Sequence, residues 1–347
     1  MIQVVRFTQS ANKLELLLEF RRYRLAFRHP VRTSRGLWAE REGLYVRLEA
    51  ADGRAGYGEA APVPGFGDDS VDAAEAACRA IGARVEPEAL RALPDSVPSL
   101  RNAISCALRG ARDAQPGPSL SVAALLPAGR SALAVAPGRA EMGFRVFKWK
   151  VGVGRAEDEI AILDDLVAAV PAGSLIRLDA NGAWDRRTAG RWLARASERP
   201  VEFVEQPVAG SDPRSVDTLL GLASDYPVPL ALDESLVCDS DLGGWLDRGW
   251  KGYFVVKPSL LGDPDQALER LARAGARVVF SSALETALGA RESLGRAFAW
   301  TGARSALGFG VWPLFADARF DGPPVSPFIA PGDINRINPE ALWNALS

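Results

Sequence analysis

The pattern of hydrophobic and polar positions changes near residue 115. Before it, short runs that alternate between apolar and polar residues predict an α+β domain over residues 1–115. Strands are predicted over residues 13–27, 43–49 and 55–59, the last two joined by a hairpin at Asp52-Gly53. Helices are predicted over residues 70–83 and 99–114. The Gln115-Pro116-Gly117-Pro118 segment is the best candidate for a linker.

After this linker, nearly apolar runs alternate with segments of helical periodicity at a steady pitch. Such runs are typical of a parallel sheet that is covered by helices on both faces. Eight strand candidates within about 200 residues favour a closed β/α barrel over residues 116–317. A doubly wound open sheet is the alternative, although no strand ends in a phosphate-binding glycine loop. The strands are predicted over residues 120–126, 144–151, 175–179, 201–205, 230–233, 253–257, 278–282 and 306–310.

Helices are predicted between these strands over residues 157–170, 188–198 and 265–274. The proline-containing residues 318–347 are expected to form a tail that packs back on the first domain.

Composition and charge narrow the classes of function. The 347 residues are 48% hydrophobic and carry a net charge of −2, so the chain can bury a large core. Without a long basic run, neither nucleic acid nor an anionic membrane is an expected partner. No apolar run approaches the ~20 residues that span a bilayer, and no signal peptide is indicated. Three cysteines without a motif fit a reducing compartment, so a cytoplasmic location is expected. None of these features indicates the oligomeric state.

Two lysines, Lys148 and Lys150, lie on one face of the strand around Trp149. Only five of the 41 basic residues are lysines, so this pair suggests a task that arginine cannot perform. Two neighbouring ammonium groups are expected to lower at least one pKa, which suits proton transfer. The alternative is an amphipathic strand with two solvated lysines. The single histidine, His29, argues against a histidine-based triad or zinc site.

Polar residues end the barrel strands, where a β/α barrel places its active site. Acids end three neighbouring strands, a lysine the next, and two serines the seventh: Asp179, Glu205, Asp233, Lys257, Ser281 and Ser282. A single such acid is usually a turn residue or a helix cap. Three in register between lysine-bearing strands favour one shared site instead.

Three converging carboxylates repel one another unless a cation neutralises them. An all-oxygen ligand set favours Mg²⁺, with Mn²⁺ tolerated. Such a metal would bind a substrate carboxylate and stabilise the dianion that forms when the neighbouring carbon loses its proton. One of Lys150 and Lys257 would then act as the base, and the opposite lysine would supply positive charge.

These residues together resemble the enolase superfamily, in the muconate-lactonising subgroup that carries Lys-x-Lys on the second strand. A lysine base working with Mg²⁺ is the established chemistry of that superfamily. The resemblance implies an α/β fold, namely a (β/α)7β barrel with an α+β capping domain that the C-terminal tail completes. It also implies metal ligands at Asp179, Glu205 and Asp233. Lys150 would be the general base, Lys148 the neighbour that lowers its pKa, and Lys257 the opposite lysine.

Within the superfamily, the chain is most similar to the o-succinylbenzoate synthase family of menaquinone biosynthesis. The similar segments are residues 57–67 and 280–286. The similarity implies a carbon–oxygen lyase that performs a Mg²⁺-dependent syn dehydration of 2-succinyl-6-hydroxy-2,4-cyclohexadiene-1-carboxylate. Lys150 would remove the proton α to the carboxylate and then protonate the departing hydroxyl.

Other activities stay open as alternatives. An N-acylamino acid racemase or a muconate-type cycloisomerase would use the same lysine pair. A dipeptide epimerase is disfavoured, because no acid follows the eighth strand until Asp317. An inactive barrel kept as a scaffold is disfavoured because all the lysines and acids are present.

Several further residues carry weaker expectations. Ser281 and Ser282 either hold a substrate carboxylate or satisfy hydrogen bonds at the strand end. Arg177 and Asn181 are candidates for supporting the metal ligands. The loop over residues 33–38 is expected to close over the substrate, with Trp38 either packing or touching it.

Overall fold

The computed structural model describes residues 15–33, 36–210, 212 and 214–346. Across those ranges, no helix is both long and apolar enough to cross a membrane. The strands are β1 Leu16–Thr33, β2 Gly36–Glu49, β3 Ala55–Ala60, β4 Arg84–Val85, β5 Leu120–Ser121, β6 Ala124–Leu126, β7 Val146–Lys150, β8 Leu175–Asp179, β9 Val201–Glu205, β10 Leu230–Leu232, β11 Tyr253–Val256, β12 Arg277–Phe280 and β13 Phe328–Ile329. The helices are α1 Val71–Ile81, α2 Pro87–Arg91, α3 Pro98–Arg109, α4 Ser131–Glu141, α5 Ala156–Ala169, α6 Arg186–Ala196, α7 Ser215–Asp225, α8 Asp239–Asp247, α9 Pro264–Arg273, α10 Ala287–Ala299, α11 Pro331–Asn335 and α12 Pro339–Asn344.

The N-terminal part is an antiparallel sheet in the order β3-β2-β1-β4 with helices against one face. Two glycines of β3 allow α3 to pack directly on the sheet. A Cβ at Gly56 would meet the carbonyl oxygen of Ala107 at 1.8 Å, and one at Gly58 would meet that of Ala103 at 2.0 Å. The sequence therefore uses glycine where the helix backbone touches the strand.

The barrel is built from seven parallel strands in the order β12-β11-β10-β9-β8-β7-β6. Its ends are joined by residues 306–308, which form isolated bridges from Leu307 to Val122 and from Gly308 to Ser281. Ala123 N donates to the Leu307 carbonyl at 2.9 Å, and Gly308 N donates to the Phe280 carbonyl at 2.8 Å. The predicted closed barrel is confirmed, and the open doubly wound sheet is wrong.

Two predicted strands differ in form from the observed elements. The predicted eighth strand, residues 306–310, is the bridged closing segment and not a regular strand. The predicted first strand, residues 120–126, divides into β5 and β6. The division arises because β5 pairs antiparallel with β13, whereas β6 pairs parallel with β7.

An arginine inside the barrel connects β8 to the closing segment. Arg177 is 1% exposed. Its Nε donates to Glu202 Oε2 at 2.7 Å and its Nη1 donates to the Ala306 carbonyl at 2.7 Å. The guanidinium also lies over the ring of Phe203, 4.8 Å from its centroid. This side chain stabilises barrel closure from within.

Residues after 318 contact both parts of the molecule. Phe328 pairs with Ser121 of β5. Arg21 in β1 donates to the Trp343 carbonyl at 2.8 Å, and the Trp343 ring lies 6.2 Å from that of Tyr57.

Candidate active site

The strand β7 separates its apolar and basic side chains as the alternating pattern predicts. Trp149 is fully buried and packs edge-on against Trp192 of α6, with 6.2 Å between ring centroids. Lys148 and Lys150 are half-buried on the opposite face of the strand. The tryptophan therefore anchors β7 to the outer helices, and both lysines belong to the inner face of the barrel.

Lys148 joins two of the predicted metal ligands. Its Nζ lies 2.7 Å from Glu205 Oε1 and 2.9 Å from Asp179 Oδ2. The strand register explains this contact, because Asp179 pairs with Glu205 across β8 and β9, and with Lys150 across β7 and β8. Burial lowers the pKa of Lys148, but the two carboxylates more than offset it and raise this pKa. Burial and the neighbouring Asp179 raise the pKa of Glu205.

The opposite side of the barrel mouth carries Lys257. Its ammonium forms an ion pair with Asp233 and lies 4.6 Å from the centroid of the Phe66 ring. Phe66 comes from the loop between β3 and α1, so the N-terminal part closes over this lysine. Burial lowers the pKa of Lys257 to about 7, because the ammonium form is disfavoured away from water.

The expected repulsion between Lys148 and Lys150 is not the main influence on the pKa of Lys148. For Lys148, the direction of the pKa shift is opposite to mutual repulsion, because two carboxylates face its ammonium at less than 3 Å. For Lys257, in contrast, the pKa is lowered, with burial as the main cause.

A fourth acid, Glu234, lies beside the predicted ligands. Asn181 Nδ2 donates to Glu234 Oε1 at 3.0 Å, while Asn181 N donates to Asp179 Oδ1 at 3.2 Å. Burial, Asp179 and Glu205 together raise the pKa of Glu234 to about 7. Asn181 thus holds Asp179 through its backbone N–H and Glu234 through its side-chain amide.

Gln206 fixes the turn that carries Asp233. Its Oε1 accepts from Asp233 N at 3.0 Å, and its Nε2 donates to Ser235 Oγ at 2.8 Å. Gln206 and Glu234 each follow a predicted ligand directly in the sequence, yet sequence reasoning gave them no role. Their adjacency to Glu205 and Asp233 was the available signal.

The donor set fits a hard divalent cation. Within the described ranges, no three Asp, Glu, His or Cys side chains are arranged as a metal site. The three acids are instead paired with the ammonium groups of lysines. However, Asn181 Oδ1 and Glu234 Oε2 are buried oxygens without a hydrogen-bond partner. Unpaired acceptors beside three carboxylates suit a cation or its bound water.

The hydroxyls of Ser281 and Ser282 are both hydrogen-bonded within the protein. Ser282 Oγ donates to Glu285 Oε2 at 2.8 Å and accepts from Leu284 N at 2.9 Å. Ser281 Oγ donates to the Gly308 carbonyl at 3.3 Å. These contacts favour the second alternative, in which the hydroxyls satisfy the strand end. Arg177 donates to Glu202 and to the closing segment, so these hydrogen bonds lie away from the three acids.

Trp38 is a packing residue in this structure. Its ring meets Phe27 edge-on at 5.3 Å, and Phe27 stacks on Phe315 at 5.7 Å. The Arg41 guanidinium lies 5.0 Å from the Trp38 centroid. The tip of the expected closing loop, residues 34 and 35, lies outside the described residues, and so do the side chains of residues 32 and 33.

Comparisons with known proteins cover nearly the whole chain and support the resemblance to the enolase superfamily. The family model described as "Enolase C-terminal domain-like" matches residues 131–319, and the one described as "MenC, N-terminal domain" matches residues 17–111. An o-succinylbenzoate synthase of Thermosynechococcus vestitus is 40% identical over 303 residues, covering 84% of this chain and 92% of that protein. The chain belongs to the o-succinylbenzoate synthase family of the enolase superfamily.

Solved structures agree with this membership. The o-succinylbenzoate synthase of Thermosynechococcus elongatus BP-1, complexed with Mg in its active site, superposes with a TM-score of 0.80 at 36% identity. The match covers 95% of this chain and 99% of that one. The L-Ala-D/L-Glu epimerase of Bacillus subtilis superposes with a TM-score of 0.76 at 20% identity, covering 88% and 92%. This second likeness shows the shared fold alone.

Proposed function

We propose that this protein is an o-succinylbenzoate synthase, which dehydrates 2-succinyl-6-hydroxy-2,4-cyclohexadiene-1-carboxylate in the cytoplasm. The observation that carries the proposal is the arrangement of charges in the barrel mouth. Lysines stand on opposite sides, on β7 and after β11, and three carboxylates end the strands between them. This arrangement suits removal of a proton next to a carboxylate, because positive charge faces the developing anion from both sides.

Asp179, Glu205 and Asp233 would hold the Mg²⁺ ion, with Mn²⁺ as a substitute. The ion would supply positive charge for the substrate carboxylate. The backbone of Asn181 and the side chain of Gln206 hold two of these acids in place. Outer contacts of this kind orient ligands before a metal arrives.

Lys150 is the proposed general base. Its strand is fixed by the buried Trp149, so its position on the inner face is set by the barrel core. It would take the proton α to the carboxylate and then return it to the departing hydroxyl on the same face. One lysine serving both steps gives a syn elimination. The forming aromatic ring supplies the driving force.

Lys257 would stabilise the enediolate by charge in its ammonium form, which the carboxylates of Glu205 and Asp179 favour although burial disfavours it. Its ammonium already pairs with Asp233 under the Phe66 ring, in a region sheltered from water. Electrostatic stabilisation is stronger where water is excluded. Lys148 would keep Asp179 and Glu205 ionised and in position, as its two short contacts indicate.

The test is turnover by the purified protein with Mg²⁺, followed as loss of the cyclohexadiene absorbance. Wild type is expected to turn over, whereas EDTA and Lys150→Ala are each expected to abolish the reaction. The exposed Lys251 provides a matched control, and Lys251→Ala should retain full turnover. Turnover that survives Lys150→Ala would remove this lysine from the mechanism.

A further inference from the structure

A buried acid of the N-terminal sheet, Glu59, enters the first turn of a barrel helix. Glu59 is the penultimate residue of β3 and is 3% exposed. Its Oε1 accepts from Thr286 N at 3.0 Å, and its Oε2 accepts from Thr286 Oγ1 at 2.7 Å and from Gly289 N at 2.8 Å. The Tyr23 hydroxyl also donates to Oε1. A residue of one part of the chain thus caps α10 in the other.

A second residue of the same sheet, Arg41, holds the turn before that helix. Arg41 is 1% exposed, and its Nε donates to the Leu284 carbonyl at 3.1 Å. Its other nitrogens donate to the carbonyls of Ala61, Pro62 and Ala283. Leu284 has φ +60°, a conformation that non-glycine residues adopt only when their surroundings enforce it. Arg41 supplies part of that constraint.

The held segment, residues 281–286, forms the wall of the barrel mouth beside Lys257. Val256 pairs with Phe280, so Lys257 and Ser281 end neighbouring strands. Ser281 N donates to the Val256 carbonyl at 2.9 Å. Inside the segment, Ser282 Oγ donates to Glu285 Oε2, and Glu285 is fully buried with its Oε1 unpaired. The shape of this wall therefore depends on contacts from both sides.

We propose that Glu59 and Arg41 are positioning residues, which hold residues 281–286 in the shape that receives the substrate. The N-terminal sheet would then set substrate affinity through the barrel wall, besides covering the mouth with Phe66. This inference rests on the proposed function for its kinetic consequence. The holding contact itself is a property of the fold and is measurable without turnover.

Glu59→Gln is the sharpest perturbation, because each carboxylate oxygen faces one main-chain N–H. Whichever way the amide is turned, its NH₂ group opposes either Thr286 N or Gly289 N. A hydroxyl such as that of Tyr23 can rotate to adapt, but a backbone N–H cannot. Tyr23→Phe is a milder second variant that removes one donor to Glu59 and keeps the ring. It serves if Glu59→Gln does not fold.

A matched control is available at another contact between the same two parts. Arg109 of α3 pairs with Asp265 at 2.6 Å and with Glu292 of α10 at 2.7 Å. Arg109→Gln removes this contact and leaves residues 281–286 untouched. General loosening of the interface would affect both variants alike.

The experiment measures two quantities on wild type, Glu59→Gln, Tyr23→Phe and Arg109→Gln. The first is hydrogen–deuterium exchange of the peptide covering residues 281–290, in the absence of substrate. The second is the pair kcat and KM for the dehydration. Glu59→Gln is expected to speed exchange and to raise KM about tenfold with kcat little changed, since lost uniform binding appears in KM. Tyr23→Phe should show smaller changes of the same direction, and Arg109→Gln neither.

Unchanged exchange in Glu59→Gln, or an equal effect in Arg109→Gln, would overturn the inference. A fall in kcat at constant KM would also contradict it, because it would place Glu59 in the chemical step. If wild type does not turn over the substrate, the proposed function fails, and the exchange data alone support or overturn the holding contact.

Discussion

Replacing Lys148 with methionine tests how the carboxylates of the barrel mouth are neutralised. Lys148 contacts Glu205 at 2.7 Å and Asp179 at 2.9 Å, and the two acids are 1% and 7% exposed. In Lys148→Met, these carboxylates face each other without that counter-charge. Removing one partner of a buried ion pair costs about 3–5 kcal/mol, because a buried charge is left uncompensated.

The expected loss can be converted into a melting temperature. An unfolding entropy of about 2.1 cal/mol/K per residue gives about 0.7 kcal/mol/K for the 347 residues. Lys148→Met should therefore lower the Tm of the EDTA-treated protein by about 4–7 °C. Saturating Mg²⁺ should recover more stability in this variant than in wild type, since it replaces the missing positive charge.

Differential scanning calorimetry of both proteins, with EDTA and with Mg²⁺, provides the measurement. Lys251→Met, at an exposed position, controls for loss of a surface lysine and should shift the Tm by less than about 1 °C. A drop of less than about 1 °C in EDTA-treated Lys148→Met would refute the magnitude. Stabilisation by Mg²⁺ of wild type but not of Lys148→Met would refute the shared-charge reasoning.

Three further predictions concern the frame around the site. Gly289→Ala should destabilise the protein by about 1–3 kcal/mol in urea unfolding, because its Cβ would meet Glu59 Oε2 at 2.8 Å. In the same helix, the added Cβ of Gly295→Ala would meet nothing within 4 Å, so this variant should stabilise the protein by about 0.5–1 kcal/mol. Equal effects of the two substitutions would contradict this reasoning. Arg177→Met should lower the free energy of unfolding by about 3–5 kcal/mol, because it leaves Glu202 unpaired. Adding Glu202→Met should recover most of this loss, and strictly additive losses in the double-mutant cycle would contradict the pairing. Although burial acts to raise the pKa of Asp265, Arg296 and Arg109 hold it below its usual range, so its contribution to stability is present above about pH 4 and is lost as the pH falls through the lowered value. The Tm difference between wild type and Asp265→Asn should therefore shrink on acidification, and a constant difference would refute the pairing.

Much of the barrel could be read from the sequence because its strands are buried on both faces. β8 and β9 begin and end where the apolar runs predict, at Leu175–Asp179 and Val201–Glu205. The closing segment, residues 306–308, could not be read as bridges, because its form depends on pairing with distant strands and on Arg177. The predicted helix over residues 99–114 ends at Arg109, since Gly110 adopts φ +71° and stops it.

The residue types of the site were easier to predict from the sequence than the pKa shifts of its lysines. Lysines and acids at strand ends indicated where the site lies, because parallel strands present their carboxyl ends at one face. Which lysine has a lowered pKa depends on contacts across strands. Lys148 faces two acids, whereas Lys257 is buried under Phe66 from the other part of the chain. Glu59 was missed for the same reason, since its backbone partners Thr286 and Gly289 are more than 200 residues away in sequence.

The most direct test of the proposed function is a comparison of two reactions on the same purified protein with Mg²⁺. One is formation of o-succinylbenzoate from 2-succinyl-6-hydroxy-2,4-cyclohexadiene-1-carboxylate. The other is exchange of solvent deuterium into the α position of an N-succinylamino acid. The dehydration is expected to proceed with the larger kcat/KM and to disappear in Lys150→Ala. Deuterium exchange without dehydration would keep the lysine chemistry but contradict the proposed function.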